Sequence, residues 1–204
     1  MTLRRNVVLF VNLLLVLAVV ALGQQPAPQP DAKTQMEQQM KEYMEKYAAP
    51  GEHHKHLEML AGSWTAQTKF WPAPGAPAME SGGTAEHKMV LGGRYLLTSY
   101  QGDFGGMPFA GMGTAAYDRF LGKYIETWID SMGTMVLVSE GTCDGAGKVR
   151  TITAKFVDPM TQKPTTMRSV YRIIDADHYT LEMYNQAPGQ EEFKVMEIAH
   201  TRKK

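Results

Sequence analysis

The feature that most constrains the fold is a succession of short strand-like segments after residue 61, each ended by a strong turn signal. Alternating apolar and polar residues mark about ten such segments. Their predicted bounds are 62–71, 84–91, 95–101, 113–118, 124–130, 135–141, 149–157, 166–174, 179–184 and 192–201. Breaks such as "PAPGAP", "DGAGK" and "APGQ" separate them, and no helical pattern intervenes. Strands joined by tight turns predict an antiparallel meander, and closure into a barrel would remove both exposed edges.

The chain before this region is organised differently. Residues 1–23 carry Arg4 and Arg5 followed by an apolar run, which is the pattern of a secretory signal peptide. A retained membrane anchor is the alternative, because the run is marginal in length for spanning a bilayer. Residues 24–33 are rich in Pro and Gln and predict a flexible spacer. Residues 34–60 then predict a helical N-terminal segment, and residues 61–204 the barrel domain.

This pattern predicts a bacterial protein that is periplasmic or secreted, with no stable membrane insertion once the signal peptide is cleaved. The 204 residues contain 21 Lys plus Arg and 21 Asp plus Glu. Balanced charge gives no electrostatic basis for binding nucleic acid, so no nucleic-acid partner is expected. Cys143 is the only cysteine, which leaves no internal disulfide and favours a small, half-buried apolar role over a nucleophile.

Methionines form a stripe in the helical segment. Met36, Met40 and Met44 recur every four residues, which predicts the core-facing side of a helix. A copper(I) site built from their thioethers is the alternative. The stretch "HHKH" at residues 53–56 is interpreted as a polar lead-in to a short helix, and no metal site is predicted.

The stretch "HLEMLAGSW" resembles the Gly-x-Trp start of the calycin barrels, which include the lipocalins and the fatty-acid-binding proteins. In lipocalins this tryptophan plugs the closed end of the barrel and an arginine from the last strand stacks on it. The resemblance implies that Trp64 and Arg202 form the structural base of the barrel, since arginine over indole is a favourable pairing.

A second resemblance covers about residues 54–204. The blocks "MLAGSW", "MVLGGRYL", "GMPFAGMG", "AYD", "ETWIDSMGT", "DPMTQKP" and "FKVMEIAHTRK" follow one another as in a bacterial family of unknown function, family 1579. It implies a closed antiparallel calycin-like (lipocalin-like) barrel with a short N-terminal helix, and it brings no catalytic or ligand residues. Ala116 replaces the glycine of the family's "GYD", and His56 stands where relatives often have tryptophan.

The segment "YIETWID" raises the question of a cavity wall. If Trp128 points inward, Glu126 and Asp130 point inward with it, and a buried carboxylate needs a partner. The candidate partners on other segments are Arg94, Arg168 and Arg172. The opposite phase would place Ile125, Thr127 and Ile129 inside, and periodicity alone does not decide between the two.

A glycine-rich stretch at residues 102–113 is predicted to be a loop that folds over the mouth of the barrel as a lid. It carries apolar side chains between Met107 and Met112. Together these arguments give a candidate ligand-binding set. Its members are Arg94, Met107, Phe109, Trp128, Asp130 and Arg168.

No catalytic signature is present, and no catalytic residue is predicted. Glu86, His87 and Lys88 are neighbours on one strand and point to opposite faces, which favours a solvated, charged surface. No cofactor is predicted either. Haem held by His200 is the alternative, and it requires His200 to face inward beneath a wide apolar cavity.

The leading functional hypothesis is non-catalytic binding of a small apolar or amphipathic ligand inside the barrel. An enzyme of unknown type that uses a carboxylate–arginine pair is one alternative. An envelope interaction protein with a solid barrel, in contact through its methionine-rich helix and loop, is the other.

Overall fold

The computed structural model describes residues 31–204. The predicted signal peptide at 1–23 and all but the end of the predicted spacer at 24–33 lie outside the described residues and stay predictions. The chain divides into two compact units, Met1–Gln38 and Gln39–Lys204. Of the first unit the structure describes residues 31–38, which include the first half of helix α1, Ala32–Tyr43.

The helical segment contains two α-helices. After α1 comes a π-helical turn, Met44–Ala48, and then α2, Glu52–Glu58. No residue of α1 is buried, and Met36, Met40 and Met44 are 65%, 56% and 46% exposed. The prediction of a core-facing methionine stripe is therefore wrong. The spacing of the methionines indicates a helix, but it does not indicate whether another part of the protein packs on that face of the helix.

Helix α2 is short but well anchored. The Gly51 N–H donates to Nδ1 of His54 at 3.0 Å, which satisfies one free donor at the helix start. His54, His56 and Leu57 are buried. The interpretation of "HHKH" as a merely polar lead-in is therefore wrong for two of its three histidines.

Ten strands follow α2, as the turn pattern predicts. They are β1 Gly62–Phe70, β2 Met79–Val90, β3 Tyr95–Phe104, β4 Met107–Asp118, β5 Lys123–Asp130, β6 Leu137–Cys143, β7 Val149–Val157, β8 Pro164–Ile173, β9 His178–Gln186 and β10 Phe193–Arg202. Each strand pairs antiparallel with its neighbours in sequence, and β1 pairs with β10 to close the barrel. The predicted closed antiparallel calycin-like barrel with a short N-terminal helix is confirmed.

The predicted lid at residues 102–113 is wrong. Strand β3 continues to Phe104 and β4 begins at Met107, so only Gly105 and Gly106 form the connection. Both glycines have positive φ, 61° and 82°, as a tight two-residue hairpin turn requires. The stretch is therefore part of the barrel wall, and its apolar side chains alternate between the two faces of β4.

The barrel has two different ends. The base is the end at which α2 enters β1, and the mouth is the opposite end, formed by the β1–β2, β3–β4, β5–β6, β7–β8 and β9–β10 connections. At the base Trp64 is 1% exposed and its Nε1–H donates to the Leu60 carbonyl. The Arg202 guanidinium lies 4.1 Å from the indole ring and donates to the Ala61 and Met59 carbonyls. These contacts join α2 to the first and last strands.

Candidate ligand-binding site in the barrel lumen

The face of β5 that carries Trp128 is the inner face. Tyr124 and Glu126 on this face are buried, and Trp128 and Asp130 are half-buried. On the neighbouring strand β4, a Cβ added at Gly111 would overlap the Trp128 ring, and one added at Gly113 would lie 3.0 Å from it. The indole therefore lies flat against the backbone of β4 inside the barrel. Ile129, which points to the opposite face of β5, is 47% exposed.

The inner carboxylate that is fully enclosed is Glu126, and its partner is Arg150 on β7. Arg150 Nε lies 2.8 Å from Glu126 Oε1, although the N–H does not point well enough at the oxygen for a hydrogen bond. The Tyr171 hydroxyl donates to the other carboxylate oxygen at 3.0 Å, and its ring lies 4.2 Å from the Arg150 guanidinium. Burial raises the pKa of Tyr171, so the phenol keeps its proton and remains a donor.

Arg94, predicted as a polar anchor beside Asp130, is at the wrong end of the molecule. It lies on the β2–β3 turn at the base, where its side chain donates to the Ala48 and Leu91 carbonyls. Asp130 lies at the mouth and accepts from Trp128 Nε1 at 3.0 Å and from the Met132 N–H at 2.9 Å. The predicted Arg94–Asp130 pair is therefore wrong, because antiparallel strands place these residues at opposite ends.

Arg168 and Arg172 are wrong as inner partners as well. Both lie on the outer face of β8, whose inner face carries Ser169 and Tyr171. Arg168 makes a two-pronged ion pair with Glu192, at 2.8 and 2.6 Å. Arg172 Nε lies 3.4 Å from a carboxylate oxygen of Glu182.

The predicted lid residues divide between the rim and the wall. Phe109 is half-buried on the inner face of β4, with its ring 5.8 Å from Tyr100 and 6.3 Å from Phe104. Met107 is 50% exposed at the start of the strand. Phe109 is therefore placed to meet a molecule in the lumen, whereas Met107 stands at the edge of the mouth.

A buried histidine cluster lies deeper in the lumen. His87 is 7% exposed and contacts the Tyr179 hydroxyl at 2.7 Å and the Thr98 hydroxyl at 2.8 Å. The ring of His200 stacks on Tyr179, with 4.1 Å between centroids. Glu86 and Lys88 are exposed, as the alternation predicts, but the expectation of a solvated surface for His87 is wrong. Burial lowers the pKa of His87 to about 4, so its imidazole is neutral at neutral pH.

Two histidine and two tyrosine side chains close the base of the barrel. Nδ1 of His56 and Nδ1 of His53 lie 3.0 and 3.2 Å from the Tyr124 hydroxyl, and Tyr124 is fully buried. The His53 ring stacks on Tyr117 at 3.9 Å. The base is thus sealed by α2, and any opening into the lumen must be at the mouth.

The upper half of the lumen has an apolar wall that solvent reaches in part. The apolar inner side chains nearest the mouth are half-buried, whereas Trp64, Leu96 and Tyr124 nearer the base are buried. Other apolar inner side chains at the base are half-buried and pack against this buried core. The half-buried apolar members near the mouth are Phe70, Phe104, Phe109, Trp128, Leu137, Phe156, Met167, Met183 and Met196. A pocket of about 310 Å³ opens at this end between the β7–β8 and β9–β10 connections. Another pocket, of about 630 Å³, lies outside the lumen between α2 and the end of β2.

The haem alternative sets two conditions on His200. The first is met, because His200 points inward. The second is not met, because the side chain is 5% exposed and a wide cavity above it would leave the ring accessible. Haem held by His200 therefore stays an untested alternative.

A family described as "Protein of unknown function (DUF1579)" matches residues 49–202, which include the whole barrel. The chain belongs to this family. No curated protein matches the chain. The family description assigns no activity, so the geometry of the DUF1579 barrel carries the functional argument.

Two solved structures show the same fold. One is Rv2717c from M. tuberculosis, with 19% sequence identity, a TM-score of 0.58, and coverage of 76% of this chain and 100% of that chain. The other is the S-type phycobiliprotein lyase CPES from Guillardia theta, with 11% identity, a TM-score of 0.51, and coverage of 76% and 99%. At these identities the likeness of the DUF1579 barrel to either protein shows the fold alone.

Two further properties concern residues 31–204 of this DUF1579 protein. No group of three or more His, Cys, Asp or Glu side chains is arranged to hold a metal ion in this range. No helix in the same range is both long and apolar enough to cross a membrane.

The inner residues that the sequence argument missed are Arg150, Tyr171 and Tyr179. Arg150 alternates with Ile152 and Ala154, which is a signal for the inner face of β7. The apolar neighbours on that face could have identified Arg150 as the partner of Glu126 in this DUF1579 barrel.

Proposed function

We propose that this DUF1579 protein binds a small, mainly apolar ligand in the upper half of the barrel lumen, without catalysing a reaction on it. The single observation that carries the proposal is the wall of half-buried aromatic and apolar side chains at the mouth end of the lumen. Such a surface inside a barrel is typical of small-molecule sites, which are concave and mainly apolar. The Trp128 ring lies against the glycines of β4, so it forms part of the lumen wall.

We also propose that the protein is exported and acts in the periplasm or outside the cell. Support comes from the sequence pattern of residues 1–23. An apolar ligand held inside the barrel lumen is shielded from water, which suits a carrier in an aqueous compartment.

The enzyme alternative is less favoured by the geometry. It depends on a carboxylate–arginine pair that a substrate can reach. Arg94 and Asp130 lie at opposite ends of the barrel, and Glu126 and Arg150 are buried against each other and against Tyr171. The solid-barrel alternative agrees with the lower half of the lumen, where Trp64, Leu96 and Tyr124 are buried. It does not agree with the upper half, where the apolar wall at the mouth is only half-buried.

Binding of a neutral, environment-sensitive dye such as Nile red tests the proposal. Met167 is half-buried on the inner face of β8, whereas Met112 on β4 points outward and is 48% exposed. Met167→Trp adds volume inside the lumen, whereas Met112→Trp makes the same substitution outside. We expect dye fluorescence to rise on binding to the parent protein and to Met112→Trp, with affinity reduced about tenfold or more by Met167→Trp because the indole occupies ligand space. Equal affinity for the two variants, with both folded by circular dichroism, would place the dye outside the lumen and contradict the proposal.

A further inference from the structure

Below the mouth, the charged groups on the inner face of the described strands already have partners. Glu126 and Arg150 face each other, and Arg202 at the base donates to the carbonyls of Met59, Ala61 and Ala176. His87 and His200 are neutral at neutral pH, since burial lowers their pKa values to about 4 and about 3. A charged ligand group placed here would lose its hydration without gaining a counter-charge.

Three uncharged, buried polar atoms on the inner face have no hydrogen-bond partner among the described residues. One of them, Oδ1 of Asn185 on β9, lies near the mouth, and the other two lie deeper, on adjacent strands. These two are Oγ1 of Thr68 on β1 and Nδ1 of His200 on β10. The side chains are 6% and 5% exposed. The β1–β10 register pairs Ala66 with His200 and Thr68 with Ile198, so Thr68 and His200 are diagonal neighbours on the inner face.

An unpaired polar group in a protein interior destabilises the fold, and most such groups have a partner. The carbonyl of Ile198 partly offsets the lowering of the pKa of His200, but it forms no hydrogen bond of good geometry with Nδ1. The two unpaired atoms belong to diagonal neighbours and together offer both a donor and an acceptor, because a threonine hydroxyl can act as either and a neutral imidazole has one of each.

Resting on the proposed function, we infer that Thr68 and His200 bind the polar head of the ligand, and that this head is an uncharged hydroxyl group of an alcohol or a phenol. A hydroxyl donates one hydrogen bond and accepts another, which matches the two atoms. A carboxylate only accepts, and an ammonium only donates; neither finds an opposite charge at this depth. The lumen therefore selects neutral amphipathic ligands over fatty-acid-like anions.

The entrance to this pair is controlled by the next inner residues toward the mouth. Phe70 on β1 and Met196 on β10 are register partners, and both are half-buried. Phe70 follows Thr68 toward the mouth, and Ile198, the register partner of Thr68, lies between His200 and Met196 on β10. The head group therefore reaches the pair when the side chains of Phe70, Met196 and Ile198 move aside. Methionine adapts easily to such a change because it is unbranched and flexible.

Calorimetric titration at neutral pH with three matched probes tests the inference: naphthol, naphthoate and methylnaphthalene, each substituted at the same ring position. We expect naphthol to bind about tenfold or more tightly than naphthoate. Thr68→Val and His200→Phe keep the shape of each side chain and remove its polar atoms. Each is expected to weaken naphthol binding about tenfold, the loss of roughly one hydrogen bond, and to leave methylnaphthalene binding unchanged.

Two controls separate a ligand contact from a structural role. Thr65→Val alters the outer face of the same strand and is expected to change binding of none of the probes, and Thr68→Ser keeps the hydroxyl and is expected to retain naphthol binding. Thr68→Val is also expected to raise the Tm of the ligand-free protein, because it removes an unpaired hydroxyl.

Naphthol binding that is unchanged in both Thr68→Val and His200→Phe would overturn the inference and leave the proposed function standing; internal water satisfying the two atoms would give that result. Naphthoate binding as tightly as naphthol would also overturn it. Failure of every naphthalene probe and of Nile red to bind would contradict the proposed function itself.

Discussion

Glu126 and Arg150 are the charged residues whose burial costs this fold the most free energy. Both side chains are almost fully enclosed, and the guanidinium lies over the Tyr171 ring while that residue's hydroxyl donates to the carboxylate. Each charge is tolerated because the other is present, and the arrangement fixes β5, β7 and β8 relative to one another. The pair therefore contributes to the position of the lumen wall more than to net stability.

Removing one member of this pair has a clear expected outcome. Arg150→Met leaves the Glu126 carboxylate buried without a counter-charge, and we expect the free energy of unfolding to fall by about 3–5 kcal/mol. The double variant Arg150→Met with Glu126→Gln should recover most of this loss, since neither charge remains. Arg168→Met breaks a partly exposed ion pair on the outside and should cost less than about 1 kcal/mol. Urea denaturation measures all three, and a loss at Arg150 no larger than at Arg168 would show that the inner pair is not buried as described.

At the scale of elements, the β3–β4 hairpin and strand β5 together build one side of the mouth. Gly105 and Gly106 turn the chain within two residues, and Gly111 and Gly113 leave room for the Trp128 ring to lie against β4. A glycine in a strand interior normally weakens the strand, so its presence here indicates a close approach. The apolar residues of this hairpin are thus held on a rigid wall and not on a mobile loop.

A single methyl group tests this packing. In Gly111→Ala the new Cβ would overlap the Trp128 ring, so the ring must leave the β4 backbone and enter the lumen. We expect a loss of roughly 1–3 kcal/mol in the free energy of unfolding, a shift in tryptophan emission and weaker binding of Nile red. Gly145→Ala is the matched control, because a Cβ there meets nothing within 4 Å. Identical stability and emission in the two variants would mean that the indole does not rest on Gly111.

The strands and their closure were predictable because the evidence for them is local. Turn residues and side-chain alternation in "YIETWID" or "VRTITAKF" depend on neighbours along the chain. The partner of Glu126 was not predictable, because it depends on register and barrel end, which only the whole sheet defines. The same reason explains why Arg94 seemed available to Asp130 and why His87 seemed exposed.

At the scale of the whole molecule, the two ends of the barrel do different things. Trp64, Arg202 and Tyr124 seal the base against α2, whereas the aromatic and apolar residues at the mouth stay partly open to solvent. A protein that only needed a stable barrel would gain by burying these side chains fully, since each buried apolar side chain stabilises by about 1.5–3 kcal/mol. The partly exposed apolar wall is the central reason for assigning a ligand to the lumen.

Native mass spectrometry of the protein, produced from its full sequence in an exporting bacterial host, tests that assignment most directly. The account predicts a reproducible additional mass on the folded protein, lost on denaturation and belonging to a neutral, mainly apolar molecule with a hydroxyl group. A folded protein that shows only its own mass, and that gains none after incubation with neutral apolar ligands, would contradict the account.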